Sequence, residues 1–329
     1  MNNQRTVLVT GGAGYIGSHV VRQLGEAGER IMILDNLSTG SRNAVLYGEL
    51  VVGDTGDTEL VDRLLREHHV DTVMHFAAHI VVPESVSDPL KYYHNNTCKT
   101  RNLLECCVNA GVSHFIFSST AAVYGLPAGG SASEDTPTAP INPYGASKLM
   151  SEWMLRDVAA ASPLRHVTLR YFNVAGADPQ GRIGQRTPNA THLLKVACET
   201  AVGKRDHVSI FGTDYDTPDG TGVRDYIHVE DLAAAHLAAL DHLRRGGAST
   251  TLNCGYGRGF SVREVLAMVE KLSGAALTIH EEPRRPGDPA AIVAQAERIQ
   301  QILNWQPRYA DLMKIVQSAL DWERRLLSR

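Results

Sequence analysis

The sequence predicts an α/β protein: a doubly wound parallel sheet with a smaller mixed α/β lobe at its carboxyl edge. Three observations predict it. Short β-branched runs alternate with helical patterns through the first half, these runs are almost continuously apolar, and the rhythm stops after Asn173. Regular strand–helix alternation gives a parallel sheet with helices on both faces. Strands covered on both faces are apolar at successive positions rather than at every second one.

Thr6–Thr10 reads as the first strand, behind a short polar lead with no hydrophobic signal core. Arg30–Leu34, Leu50–Val52, Thr72–Phe76, His114–Ser118 and Val167–Tyr171 read as the following strands. Between them Tyr15–Ala27, Thr58–His68, one long stretch around Leu90–Ala110, and Pro143–Ala161 carry helical spacing. Residues 1–173 are therefore expected to form the first domain and 174–329 the second lobe. Gly and Pro become denser in that lobe, at Asp178–Pro188, Gly212–Gly222 and Glu282–Pro289. Residues 223–255 resume the buried-strand style and are expected to return to the first domain.

Composition narrows the class. The 329 residues are 43% hydrophobic and 21% charged, with net charge −4, which is ordinary for a soluble globular chain. No Lys/Arg run marks a nucleic-acid or anionic-membrane partner, and the longest apolar runs are strand-sized. Cys98, Cys106, Cys107, Cys198 and Cys254 are odd in number and lack CxxC spacing, so neither disulfides nor a metal site are expected. A reducing cytoplasm is the expected location.

The strongest local signal is Thr10-Gly-Gly-Ala-Gly-Tyr-Ile-Gly17, which follows a strand and opens a helix. Gly11 permits a tight turn, Gly14 lets a pyrophosphate approach the backbone, and Gly17 lets helix and strand pack closely. The helix start offers N–H groups and a positive dipole to the phosphates. The second strand ends in Asp35-Asn36, 18 residues beyond Gly17. A carboxylate there accepts from ribose hydroxyls and repels a 2′-phosphate, so the loop predicts NAD on a Rossmann-type domain.

Asn142-Pro143 reads as a helix start, which places Tyr144 and Lys148 at i and i+4 on one helix face. A tyrosine needs its pKa lowered from roughly 10 to act as a base at neutral pH. A neighbouring ammonium and a positive nicotinamide ring are expected to lower it. Ser118-Ser-Thr120 closes a strand just upstream, where Thr120 could hydrogen-bond a reacting oxygen or cap the next turn.

Together these residues resemble the extended short-chain dehydrogenase/reductases, and within them the UDP-glucose 4-epimerase group. The resemblance runs nearly end to end, through Val73–Ala77, Tyr92–Asn96, Ala122–Gly125, Arg170–Asn173, Ile210–Gly212 and Arg285–Asp288. Asp219-Gly-Thr-Gly-Val-Arg-Asp-Tyr-Ile-His-Val229 is the stretch most specific to that group.

The resemblance implies that Thr120, Tyr144 and Lys148 are catalytic, with Tyr144 the base. It implies that Tyr15 and Ile16 on the glycine loop line NAD, as do Asp54, Thr55, Phe76, Ala77, Asn95, Ser118 and Tyr171. Asn173 corresponds to a residue that binds the nucleotide-sugar's phosphates. Phe211, Arg224, Arg285 and Asp288 correspond to positions holding uracil, diphosphate and ribose.

Three departures stand out. Thr191-His192-Leu193 replaces an Asn-Asn-Leu, Ile80 stands where some relatives carry a cofactor-binding lysine, and Ile292 falls at the gate over the sugar's C2 substituent. The implied partners are a UDP-hexose and a second copy of the chain packed through the long helices. A 4,6-dehydratase of the same fold would need an acid pair directly after the threonine, where this chain has Ala121-Ala122.

Overall fold

The computed structural model describes residues 5–188, 190–285 and 287–328. Its large sheet begins with β1 (Thr6–Thr10), β2 (Arg30–Asp35), β3 (Glu49–Val52), β4 (Val70–His75) and β5 (His114–Thr120). A short strand, β6 (Ser131–Ala132), lies outside it; β7 (Arg165–Tyr171) rejoins it. Then come β8 (Asn173–Ala175), β9 (Val208–Phe211), β10 (Val223–His228), β11 (Thr250–Cys254), β12 (Gly259–Ser261), β13 (Ile279–Glu282) and β14 (Ala291–Ala294).

Seven parallel strands run in the order β11-β7-β5-β4-β1-β2-β3. The order reverses direction at β1, which opens a crevice at the carboxyl ends of β1 and β4.

Each face of this sheet has its own core. Along β1, Val7 and Val9 pack with Val20, Val21 and Leu24 of α1 (Tyr15–Glu26), whereas Leu8 packs with Val61, Leu64 and Leu65 of α2 (Thr58–Glu67). That alternation follows from the two-residue period of a strand.

The long helix expected around Leu90–Ala110 is not continuous. After a short α3 (Val82–Ser87), α4 (Pro89–Tyr92) runs into a wide π turn over Tyr93–Cys98 before α5 (Lys99–Ala110). The wide turn carries Asn96, whose amide accepts from the His79 N–H at 2.8 Å and donates to the His79 carbonyl at 3.0 Å and the Ser147 hydroxyl at 3.1 Å. An extra residue in the turn re-aims side chains without ending the helix. Apolar spacing carries no mark of it.

α6 (Pro143–Ala161) starts as expected, with the Asn142 side chain accepting from the Gly145 N–H at 2.9 Å and Pro143 in the first turn. It packs against β5 and β7, while α8 (Val229–Arg244) covers them from the other face.

The smaller lobe is built around β10. β8 and β14 pair with it in parallel and β12 antiparallel, and β14 also carries β6. α7 (Leu193–Ala201), α9 (Val262–Ser273) and α11 (Leu312–Leu327) close a third core beside it, and α10 (Glu297–Leu303) packs back on α8 and β11. Of residues 223–255, β10 belongs to this small sheet, whereas α8 and β11 lie on the large one.

Two outcomes follow from this packing. A Cβ at Gly17 would lie 2.2 Å from the Gly11 carbonyl oxygen and 2.8 Å from Gly12 Cα, both backbone atoms. Gly17→Ala is expected to lower stability by about 1–3 kcal/mol in urea unfolding.

Burial pulls His75 down to about 3, and His166, His228 and His236 down to about 4. These rings stay neutral in the folded chain and take protons on unfolding, so the unfolded state binds more protons below its ordinary 6.5. Their stabilising contribution is present above that pH and is lost as pH falls toward 4, by about 1.4 kcal/mol per ring per pH unit. The melting temperature should therefore fall steeply from pH 6.5 to 4, and a flat profile would contradict the neutral buried rings.

Candidate active site

The glycine loop is shaped for an anion. Gly11 has φ +71°, its N–H donates to the Leu34 carbonyl at 2.9 Å, and a Cβ there would lie 2.7 Å from the Ala77 nitrogen. A Cβ at Gly14 would meet only the Gly11 carbonyl oxygen, at 3.2 Å, so the space in front of Gly14 is open. The first turn of α1 has no side-chain cap and no acid, which leaves its N–H groups and dipole for a pyrophosphate. Ile16 packs against the core under this turn. The Tyr15 hydroxyl is committed elsewhere, donating to the Gly176 carbonyl at 2.6 Å, and so ties the loop to the second lobe.

Asp35 is nearly buried, and its two oxygens accept from the Ala13 N–H at 2.9 Å and the Leu37 N–H at 2.8 Å. The carboxylate is held at the end of β2, where a ribose would lie in this fold. Beyond it, Asp54 accepts from Lys99 at 2.7 Å, the Gly56 N–H at 2.8 Å and Asn36 at 3.4 Å. Partial burial raises the Asp54 pKa, but these donors, Lys99 foremost, hold it below the usual carboxylate range. Thr55 is buried beside it. Loop, carboxylates and open helix start fit NAD.

Strand β4 ends at His75, which is flanked by hydroxyls. Thr100 donates to the Asn96 carbonyl at 2.6 Å, so His75 Nε2–H donates to Thr100 at 2.9 Å. The unprotonated Nδ1 then accepts from Thr10 at 2.7 Å. Phe76 follows, its N–H on the Thr10 carbonyl at 2.9 Å and its ring 4.7 Å from that of His236. His236 Nδ1–H donates to the Leu232 carbonyl, so its Nε2 accepts from the Ser118 hydroxyl, both at 2.9 Å. One neutral ring thereby meets Phe76, just past the end of β4, and Ser118 on β5. Asn95 is turned aside, its amide donating to Asn96 at 3.1 Å.

At the end of β5, Thr120 is nearly buried and does two things. Its oxygen accepts from the Ala122 N–H at 3.1 Å, capping the next turn, and its hydroxyl lies beside the Tyr144 phenol. Burial raises the Tyr144 pKa, and Thr120 opposes that rise.

Lys148 lies one turn further along the same face of α6. Its ammonium turns to the Ser118 carbonyl at 2.9 Å, above the Phe117 ring, and burial pulls it down to about 7 against the charge of Glu152. Tyr171 completes the group; burial raises its phenol, as does the neighbouring Tyr144, while Ser118 opposes them.

Residues from the second lobe gather on β10 and its neighbours. Asn173 lies opposite Tyr226 and Ile292 opposite Arg224, while Arg224 meets Asp288 at 3.4 Å. The Arg285 guanidinium lies 3.6 Å from the centre of the Phe211 ring, and burial lowers its pKa against the charge of Asp288. A cation over an aromatic face beside a second arginine suits a nucleotide diphosphate. Asn173, His192 and Leu193 line one small cavity with Tyr226. Ile292 is buried in the core shared by both lobes.

Sequence reading missed Tyr226, Tyr215 and His236. Tyr215 is buried near Arg224 and Asp288, and its hydroxyl has no partner among the described residues. The dense motif Asp219–Val229 could have pointed to Tyr226. Neither Tyr215 nor His236 had any local signal.

Known proteins place this arrangement. Residues 7–255 match the NAD dependent epimerase/dehydratase family. A UDP-glucose 4-epimerase of Azospirillum brasilense is 60% identical over 97% of this chain and 92% of its own length. The crystal structure of UDP-glucose 4-epimerase from Brucella ovis in complex with NAD superposes with a TM-score of 0.93 at 42% identity, covering 96% of this chain and 98% of that one. The Bifidobacterium longum enzyme in complex with NAD+ and UDP gives 0.93 at 40%, covering 97% and 98%. With the glycine loop, the Asp35 carboxylate and the Thr120–Tyr144–Lys148 group in place, the chain belongs to the NAD dependent epimerase/dehydratase family.

Proposed function

We propose that this chain interconverts UDP-glucose and UDP-galactose by inverting the configuration at C4 of the sugar. The observation that carries the reading is the placement of Thr120 against Tyr144 at the carboxyl end of β5, between the glycine loop and the two-arginine lobe.

NAD, when bound, supplies reversible oxidation of the sugar carbinol. The residues that would hold it are Gly11, Gly14, Gly17, Asp35 and Lys148. Tyr144, as phenolate, takes the proton from the sugar 4-hydroxyl and later returns it. Thr120 Oγ1 accepts from the Ala122 N–H, which leaves its proton to bond the phenol or, with substrate bound, the reacting oxygen. Arg224 and Arg285 hold the diphosphate while the hexose turns to present its other face.

Dehydration instead would need an acid and a base at the C5–C6 end of the sugar. The turn after Thr120 offers Ala121, Ala122, Val123 and Tyr124, none of which is an acid.

The same reading takes the substrate to be a UDP-hexose and the location to be the cytoplasm, which agrees with five unpaired cysteines. Among the described residues no helix is long and apolar enough to cross a membrane. A second copy of the chain would pack on Leu90 and Trp153, exposed at 76% and 46% on α4 and α6.

Purified protein given UDP-galactose without added nicotinamide should form UDP-glucose, detected with UDP-glucose dehydrogenase after the protein is removed. No product, even with NAD supplied, would overturn the assignment. Tyr144→Phe should lower turnover by about 10²–10⁴-fold while leaving UDP binding by calorimetry intact. The double substitution Leu90→Glu, Trp153→Glu should turn a dimer into a monomer in sedimentation velocity, and an unchanged mass would exclude this face.

A further inference from the structure

One turn beyond the Tyr144–Lys148 pair, α6 carries a buried carboxylate with no part in the chemistry above. Glu152 follows Lys148 by four residues, so both side chains leave the same face of the helix. They reach β5 at successive residues. Lys148 donates to the Ser118 carbonyl at 2.9 Å, and the Ser119 hydroxyl donates to Glu152 Oε1.

Arg170, on the adjacent strand β7, closes the arrangement. Its Nε donates to Glu152 Oε1 at 3.1 Å and its Nη2 to Oε2 at 2.6 Å. Its Nη1 donates at 3.1 Å to the Tyr124 phenol, which donates to Asn253 Oδ1 at 2.6 Å. Ser119 directly precedes Thr120, and Tyr124 ends the turn that follows it. The network therefore brackets the one threonine that faces Tyr144.

Ion pairs this deep do little for stability compared with apolar packing. The arrangement around Lys148 is also electrostatically lopsided. His75 from β4 and His236 from α8 are neutral rings, Tyr171 from β7 and Tyr144 from α6 are phenols whose pKa burial raises, and Arg170 is paired. Glu152, although it also holds Arg170, offsets the burial that discharges the ammonium.

Taking the epimerase reading as its basis, we propose that Glu152 is a positioning residue: it registers the end of β5 so that Thr120 faces Tyr144, and it keeps the positive charge of Lys148 beside Ser118. It touches neither cofactor nor sugar and acts through Ser119, Arg170 and Lys148. Removing its charge lets the Lys148 ammonium lose its proton at lower pH. Removing only the Ser119 hydroxyl loosens the strand and leaves that charge alone.

The test uses the full chain labelled with carbon-13 at the lysine ε position. The chain has seven lysines, and Lys148→Arg assigns the resonance. In the wild-type protein the Lys148 signal should titrate near 7. In Glu152→Gln it should move down by about one pH unit, and in Glu152→Asp by no more than about 0.3.

The alkaline limb of the kcat profile for UDP-galactose should move with it, with KM changed by less than about twofold. Ser119→Ala should lower kcat about tenfold with the limb unmoved. If Glu152→Gln does not fold, Glu152→Asp and Ser119→Ala carry the test. An unmoved Lys148 titration in folded Glu152→Gln, or an unchanged kcat in Ser119→Ala, overturns the proposal. Absence of UDP-hexose turnover in the wild-type protein would instead overturn the epimerase reading, with the Lys148 titration still deciding what Glu152 does to that charge.

Discussion

The carboxyl end of β5 is the constraint on which the site depends. Three consecutive hydroxyl residues there are each held from a different direction. Ser118 is bound by His236 from one helix layer, and its carbonyl by Lys148 from the other. Ser119 is bound by Glu152, and Thr120 caps the turn that follows. A parallel sheet ends its strands in unpaired backbone groups, so something must satisfy them there. Here the side chains that do so, Lys148 on the Ser118 carbonyl and Thr120 on the Ala122 N–H, are two of the residues expected to carry the chemistry. Structural satisfaction and chemical placement use the same hydrogen bonds.

Across the crevice the logic differs. The second lobe relies on simpler contacts. It offers Arg285 lying over Phe211 and Arg224 beside Asp288, both partly accessible. Such cations bind a diphosphate firmly and place few directional demands on whatever is attached to it. On the proposed reading, the first lobe places the reacting oxygen and the second grips the nucleotide. A sugar that must be presented on both faces is served by that division.

Much of this was legible in the sequence because it rests on local rules. Strand and helix positions followed from periodicity, the glycine loop from its spacing, and the shared helix face of Tyr144 and Lys148 from helical geometry. What escaped rests on contacts between residues far apart in the chain. The π turn at Tyr93–Cys98 exists because Asn96 reaches His79 and Ser147, and no local pattern encodes that reach. His236 lies more than a hundred residues from the Ser118 it orients. Spacing says that Lys148 is near, but burial and the Ser118 carbonyl decide where its charge points.

The route of the chain between lobes has a mechanical consequence. From β7 the chain enters the small sheet at β8, leaves it through β10 into α8, and re-enters at β12 after β11 has joined the large sheet. Tyr15 adds a non-covalent stitch to Gly176. A cover fastened by repeated crossings of the backbone behaves as a riveted joint rather than a hinge, since rotation about any one crossing is resisted by the others. Freedom for a bound sugar to turn must then come from room within the cavity, with the two walls keeping their spacing throughout the cycle.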